Sequence, residues 1–384
     1  MSPNIQLSFW ERVGLEERHR DVCLRALQDL YPGCDFEEFR VQGYCSFTIR
    51  VSRREGKVPD GKIMKPAASK TEEPSAFVVQ IRPEQHSLEL DVVQAASVVY
   101  GGLAPKVQRL NCNLPGRLHV FRMDLMPGTP LSYCYSRLRT LDAATWTKRV
   151  NLVQSFAAFL ARAWPLSKAA YFSRYARADS PLTDAPSLLS ACTGTVGVNI
   201  IPKLNKLARE LPDSTLRERA AVTLNKLLKL KDFPVVLNHG DLIPTNICVD
   251  ENSWRITGLV DWAEAEWLPF GTCLYGLEYL LGHLEHTPAN LNNADERPAW
   301  RYSSDTSRLR EIFWARLCEE APGIRERRED VLLARDLGVL LWYGYAWDEG
   351  AINRVVNEED DTAEVECLRS FLAVRHPESL VPDG

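Results

Sequence analysis

Apolar and polar residues alternate with two different periods along the chain, and the change of period divides the chain into two parts. In the first part, runs rich in β-branched and aromatic residues predict strands at Phe39–Val51, Phe77–Arg82 and Leu118–Met123, the first of them folded around a turn at Gly43. Between the last two strands, apolar residues at three- and four-residue spacing predict a helix over Leu88–Tyr100.

The second part is predominantly helical. One compact β segment, Val235–Val260, interrupts it. Asp142 can cap the first helix of this part. The helical period predicts helices at Asp142–Trp164, Lys203–Leu230, Cys273–Leu284, Asp305–Cys318, Asp330–Trp347 and Thr362–Val374.

These patterns predict an α+β protein with two lobes. Residues 1–126 would form a small, mostly β lobe and residues 127–384 a larger helical lobe, with a hinge near Pro127-Gly128. The stretch 52–76 is rich in Lys, Pro and Ser, so we expect it to be an exposed insertion.

Composition removes several classes of protein. The 384 residues include 46 Lys+Arg against 51 Asp+Glu, a net charge of −5, which does not suit a duplex-binding protein, so we expect no nucleic-acid partner. No apolar run is long enough for a membrane helix, and the amino-terminal residues lack the apolar core of a signal peptide. We therefore expect a cytoplasmic protein without a membrane partner. The ten cysteines are scattered, with no CxxC pair, which agrees with this expectation.

The β segment contains the residues that suggest chemistry. A polar turn at 250–253 joins two short strands, and placing Asp250 opposite Arg255 puts Asn246 opposite about residue 259. Asn246 and Asp261 then emerge at the same end of the hairpin, and Asp241 lies on the loop that leads into that end. Two carboxylates and an amide oxygen are typical of a Mg²⁺ site beside a general base.

Phosphoryl transfer needs such groups. Its transition state spreads negative charge over the phosphate oxygens, so catalysis depends on a divalent metal and a carboxylate that orients the attacking hydroxyl. The spacing Asp241-x4-Asn246, followed by a separate Asp261, is the pattern of protein kinases.

The segments HGDLIPTNI (239–247), ITGLVDW (256–262) and WAEAEWLPFG (262–271) resemble the aminoglycoside phosphotransferase/choline kinase family, most closely its fungal small-molecule-kinase-like members. The resemblance implies a bilobal protein-kinase-like fold that uses ATP and Mg²⁺. It also implies Asp241 as the catalytic carboxylate, Asn246 and Asp261 as Mg²⁺ ligands, and His239 as an anchor of the loop.

The resemblance is looser in the first lobe. Gly43, Cys45 and Ser46 lie in a turn similar to the family's phosphate-covering turn, or in an ordinary hairpin. Gln80 occupies the position of the family's phosphate-binding lysine. Because Arg82 is two residues further along the same strand face, it is a candidate to supply the missing cation, or else a solvated charge at the strand end.

The resemblance also implies an acidic partner for that cation on the following helix. Asp91 is the preferred candidate and Glu89 the alternative, although both could simply be first-turn residues favoured by the helix dipole. The adenine edge would meet the backbone near Asp124 and Met126, with Met123 behind it.

Four acidic residues could line a negative pocket for an amine-bearing alcohol, or could be rim charges. They are Glu264, Glu266, Asp348 and Glu349. Nearby tryptophans belong either to the core or to an aromatic wall for a ligand. They are Trp262, Trp267, Trp342 and Trp347.

The sequence thus predicts a Mg²⁺-dependent phosphotransferase that uses ATP and acts on a hydroxyl group of a small-molecule metabolite. Aminoglycosides, choline, amino alcohols and secondary metabolites all remain open as acceptors, and the oligomeric state is not determined. A second hypothesis is a kinase-like protein that acts as a binding or scaffold module, and a third is one that uses the fold for non-phosphoryl biosynthetic chemistry.

Overall fold

Two compact units make up the chain. The computed structural model describes residues 7–54, 75–134, 143–175, 187–285, 297–348 and 351–374. The first unit consists of residues 1–97 and 105–126, and the second of residues 98–104 and 127–384.

A five-stranded antiparallel sheet forms the centre of the first unit, with the strand order β1-β2-β3-β5-β4. Alternate side chains of β2 and β3 point into one core, where Ile49, Val51, Val79 and Ile81 are each 0% exposed. The strands are β1 (Cys34–Glu38), β2 (Phe47–Arg53), β3 (Ala76–Pro83), β4 (Val107–Leu110) and β5 (Leu118–Asp124).

Two helices that the sequence did not predict, α1 (Phe9–Arg12) and α2 (Arg18–Leu30), precede the sheet. Trp10 from α1 and Cys23 and Leu27 from α2 join the core of the sheet. The α2 sequence is highly charged, and its buried residues are limited to Cys23 and Leu27, with Leu24 and Ala26 partly buried beside them. The helix predicted over Leu88–Tyr100 is present as α3 (Leu90–Val99).

The first predicted hairpin needs correction. Its strands flank residues 39–46 instead of turning tightly at Gly43, so β1 ends at Glu38 and β2 begins at Phe47. The Gln42 side chain holds this connection, because its amide nitrogen donates to the carbonyls of Phe39 (2.8 Å) and Thr48 (3.0 Å). At the predicted insertion 52–76, β2 extends to residue 53 and β3 begins at residue 76, and residues 55–74 lie outside the described part of the chain.

The second unit is mostly helical, as predicted. Its helices are α4 (Ala143–Ala161), α5 (Lys168–Tyr175), α6 (Gly194–Gly197), α7 (Ile200–Glu210), α8 (Ser214–Leu227), α9 (Gly276–Leu281), α10 (Thr306–Glu320), α11 (Arg328–Tyr343) and α12 (Thr362–Leu372). Helix α4 packs against α10, α7 against α8, and α11 against α12. Among the described helices, none has the length and apolar character needed to cross a membrane. Asp142, the predicted cap of α4, lies outside the described residues.

Small sheets lie among these helices. Their strands are β6 (Thr129–Pro130), β7 (Val235–Asn238), β8 (Ile247–Val249), β9 (Ile256–Leu259), β10 (Glu266–Pro269), β11 (Gly282–Glu285) and β12 (Ala299–Tyr302). Strand β8 is central to a three-stranded sheet of order β6-β8-β9, while β7 pairs with β10 and β11 pairs with β12.

The predicted helix over Cys273–Leu284 is wrong at both ends. A 3-10 turn, Thr272–Tyr275, precedes α9, and the chain becomes extended at Gly282 to form β11. A side chain at Gly282 would meet the indole nitrogen of Trp300 at 2.6 Å, so the close approach of β12 requires glycine there.

A buried ionic cluster joins several elements of the second unit. Glu278 of α9 is 0% exposed and binds Arg310 of α10 (2.8 Å) and Arg335 of α11 (2.8 Å). The Tyr302 hydroxyl of β12 donates to the same carboxylate at 2.9 Å. Burial alone would raise the pKa of Glu278, but the two guanidinium groups lower it to about 2. The cluster therefore keeps its charges at neutral pH.

We expect Glu278→Gln to reduce the free energy of unfolding by about 3–5 kcal/mol, because Arg310 would lose its buried anion and Arg335, which also binds Asp336, would lose one of two. The matched control is Glu285→Gln, which removes the exposed pair between Glu285 and Arg301 and should cost less than about 1 kcal/mol. Urea denaturation followed by circular dichroism measures both. Equal losses in the two variants would contradict the importance of the cluster.

Candidate functional site

The predicted hairpin is present as β8 and β9, with one difference in register. Asp250 faces Arg255 as expected, since its N–H donates to the Arg255 carbonyl at 3.0 Å. A bulge then shifts the pairing, because Val249 pairs with Ile256 while Ile247 pairs with Leu259, and Thr257 is the extra residue. Asn246 therefore lies opposite residue 260 instead of residue 259. Asp261 follows one residue later, so Asn246 and Asp261 do emerge at the same end.

Asn246 also binds the loop that carries Asp241. Its amide nitrogen donates to Asp241 Oδ2 at 2.8 Å and to the Asp241 carbonyl at 3.0 Å. Its own carbonyl accepts the Val260 N–H at 3.0 Å. The structure thus brings Asp241 and Asn246 into direct contact at the end of the hairpin from which Asp261 emerges.

His239 anchors the same loop, as the family resemblance implies. Its Nε2 lies 2.9 Å from the Val260 carbonyl, and its Nδ1 lies 3.3 Å from the Asp241 N–H. A carbonyl can only accept and an amide N–H can only donate, which assigns the proton to Nε2 and leaves the ring neutral. Burial lowers the pKa of His239 to about 4, although the Asp261 charge and the Val260 carbonyl act in the opposite direction.

Gly240 allows the loop to approach the segment after Asp261. Its φ is +82°, and a Cβ at this position would lie 1.9 Å from the Glu264 carbonyl oxygen. Any side chain would therefore push the two main chains apart and displace the neighbouring Asp241.

Asp241 has the electrostatic character of a base. Burial, reinforced by the negative charges of Asp261 and Glu264, raises its pKa to about 7, while the hydrogen bond from Asn246 opposes that rise. Oδ2 accepts from Asn246, but Oδ1 is buried and has no hydrogen-bond partner among the described residues. A buried acceptor without a donor is costly, so this oxygen is suited to receive a ligand hydroxyl.

The donor set at the hairpin end suits a hard cation. The Asn246 side-chain nitrogen donates to both the carboxylate and the main-chain carbonyl of Asp241. The amide oxygen of Asn246 is therefore directed away from that carboxylate. Asp261 supplies a carboxylate nearby. Over the ranges that the structure describes, no three His, Cys, Asp or Glu side chains form a metal-binding group. Mg²⁺ typically takes only one or two protein ligands, so Asn246 and Asp261 fit it better than they fit a structural metal.

The four predicted pocket carboxylates differ in their surroundings. Glu264 is exposed, and its charge acts on Asp241. Glu266 is 8% exposed, and its oxygens accept the N–H groups of Val196 and Gly197 (2.8 to 3.1 Å). Glu266 thus supports the local chain, and its contact with a substrate stays a prediction.

Asp348 is engaged by a neighbouring cation. Arg354 binds both of its oxygens at 3.0 Å and also binds Asp361. The negative charge of Asp348 is therefore partly neutralised. Glu349 lies outside the described residues.

In the first unit, a chain of hydrogen bonds links several predicted nucleotide-binding residues. Ser46 Oγ lies 3.3 Å from Thr48 Oγ1, which accepts from Gln80 Nε2 at 3.4 Å. Arg82 Nε donates to Gln80 Oε1 at 3.0 Å, and its Nη1 donates to the His86 carbonyl at 3.3 Å. Arg82 is only 3% exposed, so it is not a solvated strand-end charge.

Arg12, which was not among the predicted site residues, holds the residues around Ser46. Its guanidinium donates to the carbonyls of Gly43 and Tyr44, both at 3.2 Å, and lies over the Tyr44 ring. Cys45 follows directly and is partly buried. These contacts fix the main chain of the candidate phosphate turn.

The remaining predicted nucleotide-binding residues lie at the ends of elements. Asp91 and Glu89 are both exposed at the start of α3, where the Glu89 carbonyl accepts the first helical N–H groups. Asp124 ends β5, and its side chain accepts the Lys106 N–H at 3.0 Å. Met126 is partly buried at the end of the first unit. Their contacts with a nucleotide stay predictions.

Two residues of the 3-10 turn before α9 contact the Asp241 loop and were not predicted from the sequence. The Tyr275 hydroxyl donates to the Gly240 carbonyl at 2.9 Å and accepts the Leu242 N–H at 3.0 Å. Cys273 Sγ accepts the Gly240 N–H at 3.5 Å. Both residues lie in an apolar run that is typical of a core helix, which gave no signal of these contacts.

Residues 69–272 match the phosphotransferase enzyme family, APH, and this match spans more than half of the chain. The chain therefore belongs to that family, and the predicted membership is confirmed. The predicted α+β, protein-kinase-like fold is also confirmed, with an antiparallel sheet in the amino-terminal part and helices in the carboxyl-terminal part. The closer affinity to fungal members stays a prediction.

Solved structures of aminoglycoside phosphotransferases are similar to this chain. A type VIII aminoglycoside-3'-phosphotransferase has 15% identity and a TM-score of 0.42, covering 92% of this chain and 100% of the other. A putative aminoglycoside phosphotransferase from Ralstonia eutropha JMP134 has 11% identity and a TM-score of 0.45, covering 93% and 98%. APH(3'')-Id from Streptomyces rimosus ATCC10970, in complex with ADP and streptomycin, has 15% identity and a TM-score of 0.42, covering 83% and 98%. A search of curated proteins found no match.

His239 and Asp241 should give opposite contributions to the pH dependence of stability. The folded pKa of His239 is about 4 against an ordinary value of 6.5, so its contribution is present above pH 6.5 and is lost as pH falls towards 4. The folded pKa of Asp241 is about 7 against 3.8, so its contribution is present below pH 3.8 and is lost as pH rises towards 7.

We therefore expect Asp241→Asn to lose more stability than the wild type as pH falls from about 6.5 to about 4, and His239→Gln to lose less, by about 1–3 kcal/mol in each case. Urea denaturation at several pH values measures the slopes. Parallel stability curves for the three proteins would show that neither group is perturbed as described.

Proposed function

We propose that this protein transfers the γ-phosphoryl group of ATP to a hydroxyl group of a small-molecule metabolite, with Asp241 as the general base. The chain's membership of the phosphotransferase enzyme family supports the reaction class. One observation supports the role of Asp241 in particular. Its carboxylate has one oxygen held by Asn246, while the buried Oδ1 has no hydrogen-bond partner among the described residues.

In this mechanism, Asp241 Oδ1 accepts a hydrogen bond from the acceptor hydroxyl and orients its oxygen towards the γ-phosphorus. The new bond joins that oxygen to phosphorus, while the bond between the γ-phosphorus and the bridging oxygen breaks and ADP leaves. Asp241 takes the hydroxyl proton and later releases it to solvent. A base with a pKa of about 7 is matched to this task near neutral pH.

Asn246 and Asp261 would hold Mg²⁺ together with the nucleotide phosphates. Bound there, the ion would offset negative charge on the phosphate oxygens. The amide oxygen of Asn246 and the Asp261 carboxylate are hard donors of the kind that Mg²⁺ prefers. The hydrogen bonds from Asn246 to Asp241 would then link the geometry of the metal site to that of the base.

Residues of the first unit are proposed to bind the nucleotide. Arg82 would provide the positive charge for the phosphates, in place of a lysine at the position of Gln80. Its buried guanidinium and its hydrogen bond to Gln80 support this role over that of a surface charge. The other proposed contacts are those of Gly43, Cys45, Ser46, Asp91, Asp124 and Met126.

For the acceptor, Glu264 is the pocket carboxylate that the electrostatics support best, because its charge already reaches Asp241. Glu266, Asp348 and Glu349 remain proposed pocket residues. We also propose a cytoplasmic location, since the ten cysteines are scattered along the chain without a CxxC pair, which fits a chain that does not depend on disulfides.

Two substitutions separate the base from the metal site. We expect Asp241→Asn to lower kcat by about 10²- to 10⁴-fold with little effect on Mg-ATP binding, because only the proton acceptor is lost. We expect Asp261→Asn to abolish the thermal stabilisation that Mg-ATP gives the wild type. ADP release with a panel of small-molecule alcohols measures kcat, and a thermal-shift titration measures binding.

The matched control is Asp250→Asn at the turn end of the same hairpin, where the carboxylate accepts from Ser253. It should behave as the wild type in both assays. No stabilisation of the wild type by Mg-ATP would instead favour a binding or scaffold module. Nucleotide binding without any phosphorylated product would point to non-phosphoryl chemistry.

The pH profile provides an independent test. Asp241 must be deprotonated to act, so kcat/KM should fall as pH decreases below about 7. Glu264→Gln removes a negative charge that raises this pKa, and the acidic limb should move to lower pH. Asp250→Asn, whose carboxylate accepts from Ser253 at the turn end of the hairpin, should leave the limb in place. Identical profiles for all three proteins would argue against Asp241 as the titrating base.

A further inference from the structure

One buried hydroxyl holds the main chain on both sides of Asp241. Tyr275 Oη donates to the Gly240 carbonyl at 2.9 Å and accepts the Leu242 N–H at 3.0 Å. These two residues are the immediate neighbours of Asp241 in the chain. The positions of both peptide groups that flank the carboxylate therefore depend on the same oxygen atom.

The Tyr275 ring is fixed by its surroundings. It is 2% exposed and stacks on Trp342 with ring centroids 5.1 Å apart and planes 13° apart. Tyr343 contacts it edge to face, with ring centroids 6.4 Å apart. Because a stacked and enclosed ring has little freedom to rotate, the hydroxyl remains where the loop needs it.

The rest of the same turn contacts the loop as well. The Cys273 N–H donates to Asn238 Oδ1 at 3.2 Å, and Cys273 Sγ accepts the Gly240 N–H at 3.5 Å. A side chain at Gly276 would lie 2.9 Å from the Leu242 carbonyl oxygen. Side chains of the turn thus bind the main chain of the loop, and Tyr275 provides the two shortest of the hydrogen bonds described between them.

We propose that Tyr275 is a positioning residue that acts through the main chain to align the Asp241 carboxylate. The inference rests on the proposed function, because it concerns the same base. A general base works only when its oxygen lies within hydrogen-bonding reach of the attacking hydroxyl, and small displacements are costly in rate. Removal of the hydroxyl would leave one N–H and one carbonyl without their partner and would let the loop relax.

Tyr275→Phe removes the hydroxyl and retains the stacked ring. We expect kcat to fall by roughly 10- to 100-fold while KM for Mg-ATP stays within about twofold, because alignment is lost and binding is not. The matched control is Tyr345→Phe, in which a hydroxyl that donates to the Lys203 carbonyl at 2.9 Å is lost from a side chain only 4% exposed. The control should keep the wild-type kcat.

Hydrogen exchange of the Leu242 amide gives a readout that does not depend on turnover. The Leu242 amide should exchange faster in Tyr275→Phe than in the wild type or in Tyr345→Phe. If Tyr275→Phe does not fold, Trp342→Leu removes the stacking partner and should give a smaller loss of kcat in the same direction, with faster exchange at Leu242.

The outcomes separate the positioning role of Tyr275 from the proposed phosphoryl transfer. If the wild type transfers phosphate and the folded Tyr275 variant matches its control in kcat and in exchange, the positioning role is wrong while the proposed function stands. If the wild type transfers no phosphate, the proposed function fails. Unchanged Leu242 exchange in the variant would then overturn the positioning of the loop by Tyr275 as well.

Discussion

The site depends on holding two carboxylates close together at one end of a hairpin. Burial raises the pKa of Asp241, and repulsion from Asp261 raises it further. The Asn246 amide group provides the compensating donors, since its nitrogen binds both the side chain and the main chain of Asp241. An amide can do this without adding a charge, which leaves Asp241 as a weak acid with a pKa of about 7 instead of a permanently ionised carboxylate.

Two further features complete this arrangement. The His239 ring is neutral, and the backbone at Asp261 is left-handed. His239 connects the loop to residue 260 through its ring and remains uncharged, so it does not neutralise the neighbouring carboxylates. Asp261 adopts φ +60°, which is uncommon for a residue with a side chain and costs of order 1 kcal/mol or more. Trp262 covers the His239 ring with centroids 4.5 Å apart. Packing therefore maintains a backbone conformation that Asp261 would not adopt by itself.

The hairpin was predictable from sequence because a polar turn between two β-branched runs leaves few alternatives. Its register was wrong by one residue because the bulge at Thr257 depends on a tertiary contact. The Thr257 hydroxyl donates to the Pro127 carbonyl at 2.6 Å, far away in the chain. Helix α2 was missed for the opposite reason, since its many charges hide the short apolar face on which Cys23 and Leu27 are buried. Tyr275 was missed because a tyrosine in an apolar run is typical of a core residue, and its hydroxyl contacts form only in the folded chain.

In the first unit, Gln80 and Arg82 act together on one strand. Alternate residues of a strand lie on one face, so a lysine at position 80 would place a second cation beside Arg82. Glutamine avoids that repulsion, and its two ends serve different partners. Its nitrogen donates to Thr48, and its oxygen accepts from Arg82 at 3.0 Å. Gln80 thereby orients the guanidinium group, which is a rigid, permanently charged donor suited to phosphate. Gln80 and Arg82 therefore form a hydrogen-bonded pair that holds one oriented cation on this part of the strand.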